Sequence, residues 1–160
     1  GMTLFVNLHP ADLLDTNLFD RQAPLTKMAD RVVLEITERA ALDDVTDTKH
    51  RVTELRRRGF RLAIDDLGAG YAGLTSFATL EPEVVKLDMS LIRGIEASPV
   101  KRHIVESMTR LCRELDMQVV AEGIETMAEL ATIIDLGCDH LQGYLLGRPA
   151  PDLVPSPQTW

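Results

Sequence analysis

Residues Arg61 to Tyr71 read RLAIDDLGAGY, an apolar run that ends in two adjacent acids and a glycine-bearing turn. Leu62, Ala63 and Ile64 suit a strand buried on both faces, as in a parallel sheet. Asp65 and Asp66 then stand at its C-terminal end, and Gly68 and Gly70 let the chain turn. Side chains alternate along a strand, so the two carboxylates point apart unless the chain is leaving the strand there. Like charges sharing one site repel, and a divalent cation is the usual remedy.

Working outward, similar strands recur on either side. Leu4-Phe5-Val6 stops at Asn7, and Arg31 to Ile36 (RVVLEI) carries Glu35 within a β-branched run. A buried carboxylate is costly without a partner, so Glu35 calls for a reason. Val84-Val85 continues into Lys86-Leu87-Asp88, with Lys86 and Asp88 expected on one strand face. Gln118 to Ala121 ends in Glu122-Gly123-Ile124-Glu125, and a short sixth strand near His140 to Gly143 carries Gln142. Between the strands the spacing predicts helices over Asp43–Arg58, Gly73–Leu80 and Ser98–Leu115, and a fourth from Thr126 to about Leu136. Asp15 to Pro24 reads as loop. Ser98-Pro99 is an N-cap followed by a first-turn proline. Thr126 and Glu129 form a capping box, which gives Glu129 a structural job. On the long helix, Val100, Ile104, Val105, Met108, Leu111, Cys112 and Leu115 follow helical spacing, so Cys112 and Met108 are expected in the core.

Strand, crossover and strand repeat six times, with polar strand ends 20 to 36 residues apart, steps that suit successive βα units. Parallel α/β architecture follows. Polar residues at the C-terminal ends of all six strands favour a barrel over a doubly wound sheet, which gathers its ligand near one switch point. Asp, Glu and Asn oxygens suit hard cations such as Mg²⁺ or Mn²⁺. Several carboxylates around one mouth can hold two metals, an arrangement suited to phosphodiester hydrolysis with Lys86 orienting water or offsetting charge.

The chain has 160 residues, 45% of them hydrophobic and 26% charged, which fits one globular domain. A net charge of −8 argues against a non-specific grip on polymeric nucleic acid. No apolar run approaches the ~20 residues of a membrane helix, and no signal-peptide pattern opens the chain. Cys112 and Cys138 lack framework spacing and are expected to be reduced, in a cytoplasmic setting. The four histidines are expected to be largely solvated.

The segments VNLHP (6–10), LEITE (34–38), AIDDLGAGY (63–71), VVKLD (84–88), VVAEGIET (119–126) and GCDHLQGYLLGRP (137–149) resemble the EAL-domain cyclic di-GMP phosphodiesterases, in family order. The resemblance implies a TIM-like (β/α)8 barrel and a two-metal Mg²⁺ or Mn²⁺ site hydrolysing cyclic di-GMP to linear pGpG. It implies Asn7, Glu35, Asp65 and Asp66 as metal ligands. Lys86, Glu122 and Asp66 become catalytic residues, and Asp88, Glu125 and Gln142 supporting ones. Glu38 becomes the acid that anchors the loop after Asp66. The Glu-Ala-Leu triplet that names the family is absent, and its Glu is a metal ligand in the family. The expectation is therefore an incomplete barrel, truncated at the N-terminus and lacking its first two strands, whose activity needs a longer parent or a completed barrel. Residues 1–150 would form that domain and 151–160 a Pro-rich tail. An upstream sensor or GGDEF domain would belong to a longer parent, and an open barrel edge at Leu4–Val6 would favour a homo-oligomer. Two other readings are a non-catalytic cyclic di-GMP-binding or protein-interaction domain and an enolase-like metal barrel. The paired Asp65-Asp66 fits the latter less well.

Overall fold

Six short segments form the strands of the computed structural model, which describes residues 2–37, 48–69 and 73–150. The chain divides into two units, Gly1–Lys86 and Leu87–Trp160.

In the first unit, β1 (Leu4–Asn7), β2 (Val32–Thr37) and β3 (Arg61–Leu67) pair in parallel and in chain order. β4 (Val84–Leu87) begins in this unit, which ends at Lys86. The register sets Asn7 beside Glu35, and Thr37 beside Asp65. The ladder continues past Asn7, where the Leu8 amide donates to the Glu35 carbonyl at 2.8 Å. Period-two alternation puts Glu35 and Asp65 on one face and Leu34, Ile36, Leu62 and Ile64 on the other. That second set is fully or nearly fully buried, as the apolar runs require. Helices α1 (Thr16–Phe19), α2 (Thr48–Arg57) and α3 (Gly73–Leu80) accompany the strands. Val52 and Leu55 are the buried residues that the spacing of α2 places on one face. Arginines pin the connections. Arg51 donates to the Leu13 carbonyl and Arg58 to that of Phe19, each at 2.7 Å. Arg56 pairs with Glu83, whose other oxygen accepts from the Leu62 amide.

In the second unit, β5 (Gln118–Ala121) and β6 (His140–Leu141) pair in parallel. Helices α4 (Met89–Ile92), α5 (Pro99–Glu114) and α6 (Met127–Asp135) surround them in sequence. Ser98 caps α5 with Pro99 in its first turn, and Thr126 and Glu129 form the capping box of α6. Both starts lie where the sequence signals place them. Gly137 has φ +79°, the left-handed backbone expected where a helix ends.

Four expectations are corrected. Asp15–Pro24 is not all loop: Asp15 caps a single helical turn, α1, by accepting from the Asn17 amide. Asp88 does not share a strand face with Lys86, because β4 ends at Leu87 and Asp88 caps α4, accepting from Ser90. The sixth strand is two residues long, so Gln142 follows it instead of lying within it. On α5 Cys112 is buried as expected, beside Val105 and Thr109, but Met108 is only half-buried, and Val100, Ile104, Leu111 and Leu115 are exposed. The buried line follows an i, i+4, i+7 path that admits a threonine, and Thr109 approaches Cys138 at 3.7 Å. Burial pushes the Cys112 thiol up to about 11, with Asp139 and Cys138 adding to it. Both cysteines are free thiols, and all four histidines are exposed.

Candidate active site

In the first unit, the polar face of β2 and β3 buries three charges together. The Lys86 ammonium lies 2.6 Å from Glu35 Oε1 and 2.8 Å from Asp65 Oδ1. The three side chains are only 6%, 7% and 13% exposed. Strand pairing fixes this cluster: Glu35 lies two positions along β2 from Thr37, which is the register partner of Asp65. Two buried carboxylates facing one space demand a positive charge, and here an ammonium supplies it. Asn7 sits beside Glu35 in the ladder and is exposed.

Asp66 follows with φ +58°, a left-handed conformation rare outside glycine. That twist ends the alternation of the strand. The Asp66 amide donates back to the Asp65 carboxylate at 3.1 Å, fixing the corner. The awkward acid pair is thus resolved by turning the backbone at the second acid. Glu38 lies outside the described residues, as do residues 70–72 of the loop it is expected to anchor.

In the second unit, Glu122 follows β5 directly, and its amide donates to the Leu87 carbonyl at 3.2 Å. The chain then turns at Gly123, φ +71°, where a Cβ would stand 2.5 Å from that of Met89. The Ile124 amide donates to the Gln142 carbonyl. Gly143 presses on the same backbone, and a Cβ there would lie 2.1 Å from the Ile124 carbonyl oxygen. Glu125 forms an ion pair with Arg93. The hydrogen bond from Arg93 holds the Glu125 carboxyl below its usual range despite some desolvation, and the same bond raises Arg93.

These residues border a cleft of about 570 Å³ lined in part by Met89, Arg93, Glu125, Gln142, Tyr144 and Arg148. The Arg148 guanidinium stacks on the Tyr144 ring, 5.1 Å from its centroid. Arg93, Tyr144 and Arg148 carried no weight in the sequence reading. Arg93 had no motif to mark it, whereas Tyr144 and Arg148 sit inside the quoted GYLLGRP segment.

The chain thus holds Asn7, Glu35, Asp65, Asp66 and Lys86 in one unit, and Asp88, Glu122, Glu125 and Gln142 in the other. Among the described residues, no helix is long and apolar enough to cross a membrane.

Comparison with known proteins bears on both units. The EAL domain model matches residues 1–149. The probable cyclic di-GMP phosphodiesterase PdeA of Escherichia coli is 37% identical over 155 residues, 94% of this chain and 21% of that protein. The structure of Klebsiella pneumoniae BlrP1 in a manganese and cyclic di-GMP complex superposes with a TM-score of 0.83 at 36% identity. It covers 92% of this chain and 39% of BlrP1. The EAL domain of Mycobacterium smegmatis DcpA gives 0.82 at 32% identity, covering 92% of this chain and 68% of that one. The chain spans about a fifth or less of the length of the curated relatives it matches. The fold is α/β, of the TIM-like barrel type of these structures. By the match along residues 1–149, and by the strand-end acids that the fold presents, the chain belongs to the EAL domain family.

Proposed function

We propose that the chain carries the site of a divalent-metal-dependent phosphodiesterase that hydrolyses cyclic di-GMP to linear pGpG. The observation that carries this reading is the buried Glu35–Lys86–Asp65 cluster. Its carboxylates are built to face a cation and already hold one, the ammonium. The donor set is all oxygen, which suits Mg²⁺ or Mn²⁺ and not soft metals. Relatives solved with calcium or manganese and cyclic di-GMP support the same choice.

Asn7, Glu35, Asp65 and Asp66 would hold the metal. Bound divalent cations supply charge neutralisation at the phosphodiester and lower the pKa of water. The protein's own groups do the rest. Lys86, fixed by two carboxylates, is placed to orient the attacking water. Glu122, whose backbone amide donates a hydrogen bond to the Leu87 carbonyl, is an acid to manage the proton. Water adds to phosphorus, one P–O bond breaks, and the released ribose oxygen takes up a proton. The cleft in the second unit offers what a guanine base requires: an aromatic and cationic stack at Tyr144 and Arg148, with amide and carboxylate partners at Gln142 and Glu125. Asp88 and Glu38 complete the set as supporting and loop-anchoring residues. Self-association, and a sensor or GGDEF domain on the same polypeptide, belong to this reading as well.

Incubating the chain with cyclic di-GMP, first with EDTA and then with excess Mn²⁺ or Mg²⁺, tests it by chromatography of the products. The expected result is pGpG only with metal. Binding without turnover in either metal would favour the non-catalytic alternative.

A further inference from the structure

Glu129 has more to do than cap a helix. A capping box needs its carboxylate to reach the Thr126 amide, which it does at 3.0 Å. The same oxygen also accepts from the Glu125 amide at 2.9 Å. Its other oxygen accepts from the Gly94 amide at 3.1 Å, 35 residues away in sequence. The residue is 3% exposed. Burial opposes its charge, yet the amides of Glu125, Gly94 and Thr126 outweigh that and hold its carboxyl below the usual range.

The arrangement forms a closed ring. Arg93, the residue before Gly94, pairs with the Glu125 side chain. Both partners of that ion pair are therefore tied through backbone amides, one directly and one through the next residue, to a single buried carboxylate. Elsewhere the segment is held by the Glu122 amide on Leu87 and the Ile124 amide on Gln142. Glu129 links it to the turn after α4 through a buried carboxylate.

We propose that Glu129 is a positioning residue that sets the placement of the Glu122–Glu125 segment and of Arg93, and through them the ligand-binding geometry of the cleft. The ligand part of this inference rests on the cyclic di-GMP reading above.

The test compares Glu129→Ala, Glu129→Gln and Thr126→Ala. Thr126→Ala removes the hydroxyl that accepts from the Glu129 amide but leaves the carboxylate and its three bonds. Amide hydrogen exchange is followed at Gly94 and Glu125, and cyclic di-GMP affinity is followed by calorimetry. Glu129→Ala is expected to speed exchange at both amides by tenfold or more and to weaken binding at least tenfold. Glu129→Gln offers one acceptor oxygen in place of two and is expected to fall between. Thr126→Ala is expected to lower the melting temperature while leaving exchange at Gly94 and affinity within twofold. In a double-mutant cycle, Arg93→Gln is expected to add little in the Glu129→Ala background. Equal affinity losses in Thr126→Ala and Glu129→Ala would overturn the proposal, as would additive effects of Arg93→Gln. If the unaltered chain binds no cyclic di-GMP, the functional reading fails. The positioning role is then decided by exchange alone: native protection of Gly94 in Glu129→Gln and Glu129→Ala overturns it, and lost protection supports it.

Discussion

Replacing Lys86 by methionine keeps the length of the side chain and removes its charge. Two buried carboxylates then face each other with no cation between them. At contacts of 2.6 and 2.8 Å, each ion pair has a gross attraction of about 6 kcal/mol at an effective dielectric of about 20. Desolvation of all three groups cancels much of this, so the net cost follows from what is left behind. Removing one partner of a buried pair typically costs about 3–5 kcal/mol. Here two partners are stranded, which points to the upper end. Against a total stability of about 5–15 kcal/mol, that leaves a marginal fold. Urea denaturation followed by circular dichroism measures the loss. The same titration with Mn²⁺ measures the site's taste for metal: at a hundredfold excess over Kd, a bound cation restores about 2.7 kcal/mol. Lys86→Arg keeps the charge and is expected to lose less, although its planar fork does not reproduce the compact ammonium. A Lys86→Met variant within about 1 kcal/mol of the parent would refute the reasoning. It would show that these carboxylates do not depend on the ammonium for their burial.

Gly143→Ala is expected to cost about 1–3 kcal/mol in thermal unfolding, because its Cβ would meet the Ile124 backbone at 2.1 Å and backbone yields poorly. Asp66→Gly is expected to abolish hydrolysis, since it removes a proposed metal-holding carboxylate, while relieving the backbone cost of φ +58° that an L-residue bears and glycine does not. Acid titration of stability should show the Glu129 contribution. Its folded carboxyl sits below the unfolded range, so its stabilisation is present above about pH 4.3 and disappears as the pH falls through the folded value. Glu129→Gln is expected to flatten that limb of the profile, and an unchanged acid limb would count against the burial argument.

The first five strands were legible because each is a short apolar run with a polar end, and parallel burial leaves few other readings of such runs; β6, only His140–Leu141, has no such run. The caps at Ser98 and Thr126 were legible because one hydroxyl at a fixed offset declares itself. The α5 faces were not. An amphipathic pattern counts apolar residues, and that helix has more of them than its buried line accommodates, while Thr109 serves as core. Asp88 was misplaced because apolar residues on both sides hide the end of a four-residue strand. The acids of the site and Lys86 could be named from the sequence, but their direct pairing could not. Lys86 stands 51 residues from Glu35 and 21 from Asp65, and only the parallel register brings the three together. Arg93 was invisible for the same reason, since its role depends on Glu125 across a turn.

The most direct test sets the unaltered chain beside Asp65→Asn, in Mn²⁺, with cyclic di-GMP as substrate and pGpG as the measured product. The substitution keeps the shape of the side chain and removes one of the two charges that face Lys86. The account predicts pGpG from the unaltered chain and a rate at least a thousandfold lower from Asp65→Asn. Equal rates from the two proteins would contradict it, because the chemistry would then lie away from the Glu35–Lys86–Asp65 cluster.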